Sequence, residues 1–319
     1  MTFVIACEYA AEHPDKNIVM LDLCPQANLS EIALGGNGEG SDRLESLIDS
    51  HKTIGGYFDE RISSPQKVTG NETSFLVNDL KKYNPSLPSN VYLVAGDSSL
   101  EIQAQAISQI SAQTLPLDSW SNVHKWLRDL ISAIEGKLSN PVSFIDCNPS
   151  FASYTELAIL ASERLIIPCS ADGSSARAID NVGRLVYGTG NAAEYGDATF
   201  NKRALKNSFA LPSIHTVILN RSTQYDKKAS KSFNAMFNEI QTRVSRLKKT
   251  GQAQFSSNPT DGFFDMPDAH SVAVVCSHEG VPLSKLKTGP HTIHDTTVQV
   301  NPEPYARYNT ALKTLVAKL

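Results

Sequence analysis

The sequence predicts an α/β fold in a single domain, a twisted and mostly parallel sheet with helices on both faces. Three observations carry that reading. Apolar runs of strand length (NIVMLDL at 17–23, VYLVA at 91–95, VSFID at 142–146, HTVILN at 215–220) alternate with segments of helical periodicity. The runs are nearly continuous rather than alternating, as in parallel strands covered on both faces. Finally, 319 residues, 41% hydrophobic and 19% charged, suffice for a large core.

Taken in order, 2–13 reads as a helix with Phe3, Ile5, Ala6 and Tyr9 on one face, and 17–23 as a buried strand. The turn CPQAN leads into LSEIALGG and a polar, glycine-rich loop. Gly35–Gly40 contains no Lys and is expected to be a flexible surface loop. Helices follow at 43–51 and 56–62, a strand at 91–95, and helices at 98–113 and 118–135. The last of these carries Trp120, Val123, Trp126, Leu127 and Leu130 at core spacing. Strands at 142–146 and 165–168 flank a helix at 154–162, the pattern of a parallel crossover unit. A helix at 174–187, the strand 215–220, a long basic helix at 228–249 and a closing helix at 304–319 complete the chain.

Composition excludes several classes. No run of eighteen apolar residues occurs, and the opening MTFVIACEYAAEH has neither a basic segment nor a cleavage signature, so stable membrane insertion and secretion are not expected. Cys7, Cys24, Cys147, Cys169 and Cys276 form no C-x-x-C, which disfavours disulfide, zinc-ribbon and iron–sulfur frameworks and fits reduced thiols in the cytoplasm. Net charge is −4, yet 200–250 holds eleven Lys and Arg against Asp226 and Glu239. Lys202, Arg203, Lys206, Lys227, Lys228, Lys231, Arg243, Arg246, Lys248 and Lys249 are the candidate contacts to a polyanion.

In such a sheet ligands bind beyond the carboxyl ends of the strands. Asp22 and Asp146 both end apolar runs there, and two such acids could hold a hydrated Mg²⁺ beside a phosphate or serve as caps and ion-pair partners.

Longer segments carry a family pattern. VMLDLCPQANLSEIALGG resembles the second strand and switch of ParA-type partition ATPases, D-x-D-P-Q-x-N-x-[ST]. FIDCNPSFASYTELAILASERLIIPCSAD resembles their Walker B segment, VYLVAGDSSLEIQAQ their third-strand region, VILNR the adenine strand, and MPDAHSVAVVCSHEGVPL the segment that follows it. The resemblance implies a P-loop NTPase-like fold, ATP and Mg²⁺ as cofactors, an ATP-bound homodimer that binds DNA nonspecifically, a ParB-like or other adaptor, and a nucleoid-associated cytoplasmic location. By resemblance Asp22 and Cys24 are the catalytic pair, with Cys24 where the family has its second Asp. Asp146 is the Mg²⁺ acid acting through water. Pro25, Gln26, Asn28, Asn148 and Pro149 belong to the switches, and Asn220, Arg221, Pro267 and Asp268 to the adenine side.

No G-x-x-x-x-G-K-[ST] occurs in the 319 residues, and Met1–Ala6 resembles the helix that follows the family's K-G-G-x-G-K-[ST]-T loop. The first strand and Walker A loop are therefore expected upstream of Met1. The rival expectation is a non-hydrolysing pseudo-ATPase, a DNA- or protein-binding module, which the uncharged Cys24 also suits. A metabolic relative using the same fold is disfavoured by the basic stretch. His291 and His294 have a metal-like spacing but no third ligand nearby, and read as part of a polar loop. The C-terminal stripe Tyr305, Tyr308, Leu312, Leu315 and Leu319 reads as a helix closing on the sheet rather than one that targets a membrane.

Overall fold

Thr2–Glu12 (α1) and Asn17–Leu23 (β1) open the chain, and six of the seven β1 residues are buried, as the unbroken apolar run requires. The structure is a computed structural model. It describes all residues except 149, 171, 191–195, 197, 223, 226, 227, 230 and 257–262, and between 221 and 233 only the backbone of the others. The chain divides into two units, Met1–Ala161 with His270–Leu319, and Ser162–Ala269.

In the first unit β1 is followed by α2 (Asn28–Ala33), α3 (Glu39–Asp49), α4 (Ile54–Ser63), β2 (Leu76–Val77), α5 (Leu80–Tyr83), β3 (Val91–Val94), α6 (Leu100–Ser111), α7 (Ser119–His124), α8 (Trp126–Lys137), β4 (Pro141–Cys147) and α9 (Ser153–Ala161). The sheet order is β2-β3-β1-β4, with β1 parallel to both neighbours and β2 antiparallel to β3. Leu21, Leu23, Tyr57, Phe58, Trp126, Leu127 and Leu130 form its core. Trp126 is fixed there by its Nε1 donating to the Pro65 carbonyl at 3.0 Å and by the Arg61 guanidinium 5.4 Å from its ring.

The second unit contains β5 (Arg164–Cys169), α10 (Gly173–Tyr187), α11 (Phe200–Lys206), β6 (Ser213–Ser222), the short pair β7 (Gln224–Tyr225) and β8 (Lys228–Ala229), α12 (Lys231–Lys249) and β9 (Phe263–Pro267). Its sheet, β5-β6-β9, is wholly parallel. Asp172 caps α10 by accepting from the Ser175 amide at 2.7 Å, and Gly188 ends it at φ +68°.

The chain then returns to the first unit as α13 (Ser271–Glu279), β10 (Gly289–Ile293), β11 (Thr296–Val300) and α14 (Pro302–Val316). Tyr308, Leu312, Leu315 and Val316 of α14 are buried, and α14 packs on α1, where Lys313 Nζ lies 4.0 Å from the buried Glu8 carboxylate. The apolar stripe is buried as expected, but α14 packs on α1 rather than on the sheet. No described helix is long and apolar enough to cross a membrane.

Several expectations need correction. The helix expected at 118–135 is two helices, because the His124 ring takes the Trp120 carbonyl (Nδ1 to O, 2.8 Å) at the end of the first. Strands β4 and β5 do not pair as neighbours among the described residues, since they lie in different sheets. The segment around His291 and His294 is an antiparallel hairpin, not a loop. Its two turn residues, His294 and Asp295, both have positive φ (43° and 63°), the backbone twist that a two-residue hairpin needs.

The glycine-rich stretch is likewise no free loop. Gly36 (φ +82°) is buried, and a Cβ there would lie 2.2 Å from the His278 carbonyl oxygen. One on Gly280 would lie 2.4 Å from the carbonyl carbon of Gly35. The absent side chains let the end of α2 and the end of α13 meet backbone to backbone, and the Asn37 amide donates to His278 O at 3.0 Å.

Candidate functional site

Parallel pairing of β1 with β4 sets Asp22 directly opposite Asp146 at the carboxyl ends of the two strands. Asp22 is fully buried. Its Oδ1 accepts from the Cys24 amide at 3.1 Å, and its Oδ2 accepts from the Ser30 amide at 2.9 Å and the Ser30 hydroxyl at 2.7 Å. Burial pushes its pKa up to about 6, the neighbouring Asp146 charge adds to that, and the Ser30 and Cys24 donors oppose it. Both oxygens are thus committed to the segment that follows β1.

Asp146 is half-buried and has a different partner: its Oδ1 accepts from the Thr2 hydroxyl at 2.5 Å. Thr2 is the first residue of α1, whose first turn carries no acid and whose N-cap supplies no side-chain bond. First-turn amides, which have no partner within the helix, and the positive end of the helix dipole therefore lie at the Asp146 carboxylate end of α1. A carboxylate and a hydroxyl at a helix N-terminus suit a hydrated Mg²⁺ and a phosphate oxygen. The donor set fits the metal side of an ATP·Mg²⁺ site, and the sequence contains no Walker A Lys to neutralise the phosphates.

Among the switch candidates, Pro25 is buried while Gln26 and Asn28 are exposed. Ala27 adopts φ +48° at the start of α2, and its amide donates to the Cys24 carbonyl at 2.9 Å, closing a tight turn. Cys24 Sγ donates to Gln26 Oε1 at 3.2 Å, and burial raises the thiol pKa, so Cys24 stays neutral near pH 7. Asn148 Oδ1 accepts from the Ser150 amide at 3.2 Å, while Pro149 lies outside the described residues.

In the second unit, β6 and β9 bring the adenine-side candidates to one edge. Asn220 pairs with Met266 and Ser222 with Pro267, and Asp268 follows at once. The Arg221 side chain is outside the described residues.

The basic candidates divide. Lys202, Lys206, Arg246, Lys248 and Lys249 are exposed and Arg203 is half-exposed, on α11 and α12. Arg243 is instead engaged by Asp180 of α10 and by Glu239 at 2.6 Å, so it holds two helices together. Lys227 and the side chains of Lys228 and Lys231 lie outside the described residues. Sequence reasoning missed the exposed Arg177 and Arg184 of α10, which packs on both α11 and α12. Their helical spacing of seven, two turns on one face, was the available signal. The unit carries fourteen Lys and Arg against ten Asp and Glu.

His291 is held by Glu279 (Nδ1 to Oε1, 2.6 Å) and by the Lys287 carbonyl. No group of three or more His, Cys, Asp or Glu placed to hold a metal occurs among the described residues.

Comparison with solved structures places the fold. Apo McdA from Cyanothece matches with a TM-score of 0.58 at 15% identity, over 98% of this chain and 93% of that one. The ATP complex of a Cyanothece McdA variant matches with a TM-score of 0.58 at 14% identity, over 98% and 90%. A Borrelia burgdorferi protein described as a plasmid partition protein, bound to AMPPNP, gives 0.51 at 14% identity over 100% and 92%. The chain has the ParA-type fold. No family model matches the sequence, and no curated protein matches it. The acids Asp22 and Asp146 stand opposite each other near the carboxyl ends of β1 and β4.

Proposed function

We propose that this chain is the body of a ParA-type ATPase that dimerises around ATP and Mg²⁺, binds DNA nonspecifically in that state, and positions a plasmid, chromosome or other cargo with a ParB-like or other adaptor. The observation that carries the reading is the opposed pair Asp22 and Asp146 with the N-terminus of α1 bonded to Asp146. The ATP and AMPPNP complexes among proteins of like fold support nucleotide as the ligand. In this proposal Asp146 holds the Mg²⁺ shell through water, Asn220, Arg221, Pro267 and Asp268 contact adenine, and bound nucleotide shifts the population from monomer to DNA-bound dimer. A cytoplasmic, nucleoid-associated location follows from the DNA binding.

The phosphate cradle is proposed to come from a strand and Walker A loop upstream of Met1. The open edge of β4 supports this: among the described residues β4 pairs only with β1, and its apolar Val142, Phe144 and Ile145 remain half-exposed. A parallel strand of that composition is ordinarily covered on both sides. A single comparison tests the proposal, ATP-dependent dimerisation and DNA retention by residues 1–319 and by the chain extended with its upstream in-frame coding sequence. The extended chain is expected to respond to ATP·Mg²⁺.

Cys24 favours a second reading, a non-hydrolysing DNA- or protein-binding module, because a neutral thiol stands where the family has its second acid. That reading predicts DNA binding indifferent to ATP.

A further inference from the structure

The carboxylate of Asp22 is the meeting point of three elements. β1 supplies it, and α2 brings the Ser30 amide and hydroxyl. The end of β3 contributes the Gly96 amide, which donates to Ser30 Oγ at 2.7 Å. The Ser30 hydroxyl therefore gives its one proton to Asp22 and accepts the Gly96 N–H on a lone pair, and the residue is fully buried. Gly96 is required for this approach: a Cβ there would lie 2.9 Å from the Asp22 carboxyl carbon and 2.9 Å from the Ala27 Cβ. Alanine at position 30 would offer neither side-chain bond: it would strand the Gly96 N–H and leave Asp22 Oδ2 with the residue-30 amide alone.

We propose that Ser30 is a positioning residue whose hydroxyl clamps the segment 24–34 between Asp22 on β1 and Gly96 beyond β3, so that this segment moves only when the clamp opens. The clamp stands on geometry alone. Its significance as the fastening of a nucleotide switch rests on the function proposed above. Removing the hydroxyl frees α2 locally, without loosening the Trp126 core. Threonine keeps both bonding roles and restores the fastening.

The test is amide hydrogen exchange on the full chain without nucleotide, so it is independent of ATP binding. In Ser30→Ala, amides of 24–34 and Gly96 are expected to exchange about tenfold faster or more, while those of α8 and β6 keep their wild-type rates. Ser30→Thr is expected to return 24–34 to near wild type. Unchanged exchange in Ser30→Ala, acceleration spread equally over α8, or no recovery in Ser30→Thr would overturn the proposal. If Ser30→Ala does not fold, the wild-type protein decides: the Ser30 and Gly96 amides, on separate elements, should open together with equal protection. An unprotected Ser30 amide refutes the clamp. Titration of the same protein with ATP·Mg²⁺ is a separate readout, so a failure of the ATPase reading leaves the clamp result standing.

Discussion

Replacing Asp22 by Asn removes a buried charge while keeping the side chain's shape, and its effect on stability should change sign with pH. The Asp22 carboxyl is raised from 3.8 to about 6, chiefly by burial. A shift of that size corresponds to about 3 kcal/mol of penalty on the ionised form at neutral pH. The native state binds more protons than the unfolded chain between about pH 4 and pH 6, so wild-type stability falls as pH rises through that window. Asn relieves the penalty but presents an amide N–H to one of the three donors that Asp22 satisfies, from Cys24 and Ser30, at a cost of about 1–2 kcal/mol. Asp22→Asn should therefore be about 1–2 kcal/mol more stable than wild type at pH 7.5 and about 1 kcal/mol or more less stable below pH 4. Trp120 and Trp126 both belong to the unit that contains Asp22, so urea unfolding followed by tryptophan fluorescence at the two pH values measures the right transition. Equal destabilisation at both pH values would refute the reasoning.

Other perturbations separate structural from surface roles. Gly36→Ala, which must fit a Cβ against the His278 carbonyl at φ +82°, should cost about 2–4 kcal/mol in urea unfolding, whereas Gly136→Ala in α8, with open space around its Cβ, should gain up to about 1 kcal/mol. If DNA is the partner, the triple change of Arg246, Lys248 and Lys249 to Ala should flatten the salt dependence of binding by about 2–3 in log–log slope. Arg243→Ala should loosen the packing of α10 on α12 and leave that slope unchanged. The His291 pKa is raised, first by the Lys287 carbonyl and then by Glu279. The stabilisation it adds should be full below the ordinary histidine value and lost as pH rises through the higher folded value, and His291→Gln should flatten that pH dependence.

The strands nearest the candidate site were legible because their chemistry is redundant. The runs at 17–23 and 142–146 are apolar at nearly every position with an acid at or next to the end, the pattern of a buried parallel strand. What escaped detection depends on contacts between distant residues. Leu76–Val77 is two residues long and leaves no pattern of its own, and the hairpin turn His294-Asp295 lacks the Asn-Gly signature of its type. The Gly35–Gly40 stretch reads as a loop until α13 is seen pressed against it. In the site itself, the resemblance marked Asp22 as an acid of the reaction, and the structure shows both its oxygens occupied by the segment after β1. Asp146 stands at the end of its strand as the sequence run suggests, and the structure adds its partner, the Thr2 hydroxyl. Ser30 was visible only as the last letter of a motif, because its partner Gly96 lies 66 residues away.

ATP-dependent retention on nonspecific DNA, measured for the chain extended upstream of Met1 with and without Mg²⁺, tests the proposed function most directly. The proposal predicts dimers retained on DNA only with ATP·Mg²⁺, turnover that increases in Cys24→Asp, and no nucleotide response from residues 1–319 alone. DNA retention of equal strength with and without ATP, in both chains, would contradict it and leave the non-hydrolysing binding module in its place.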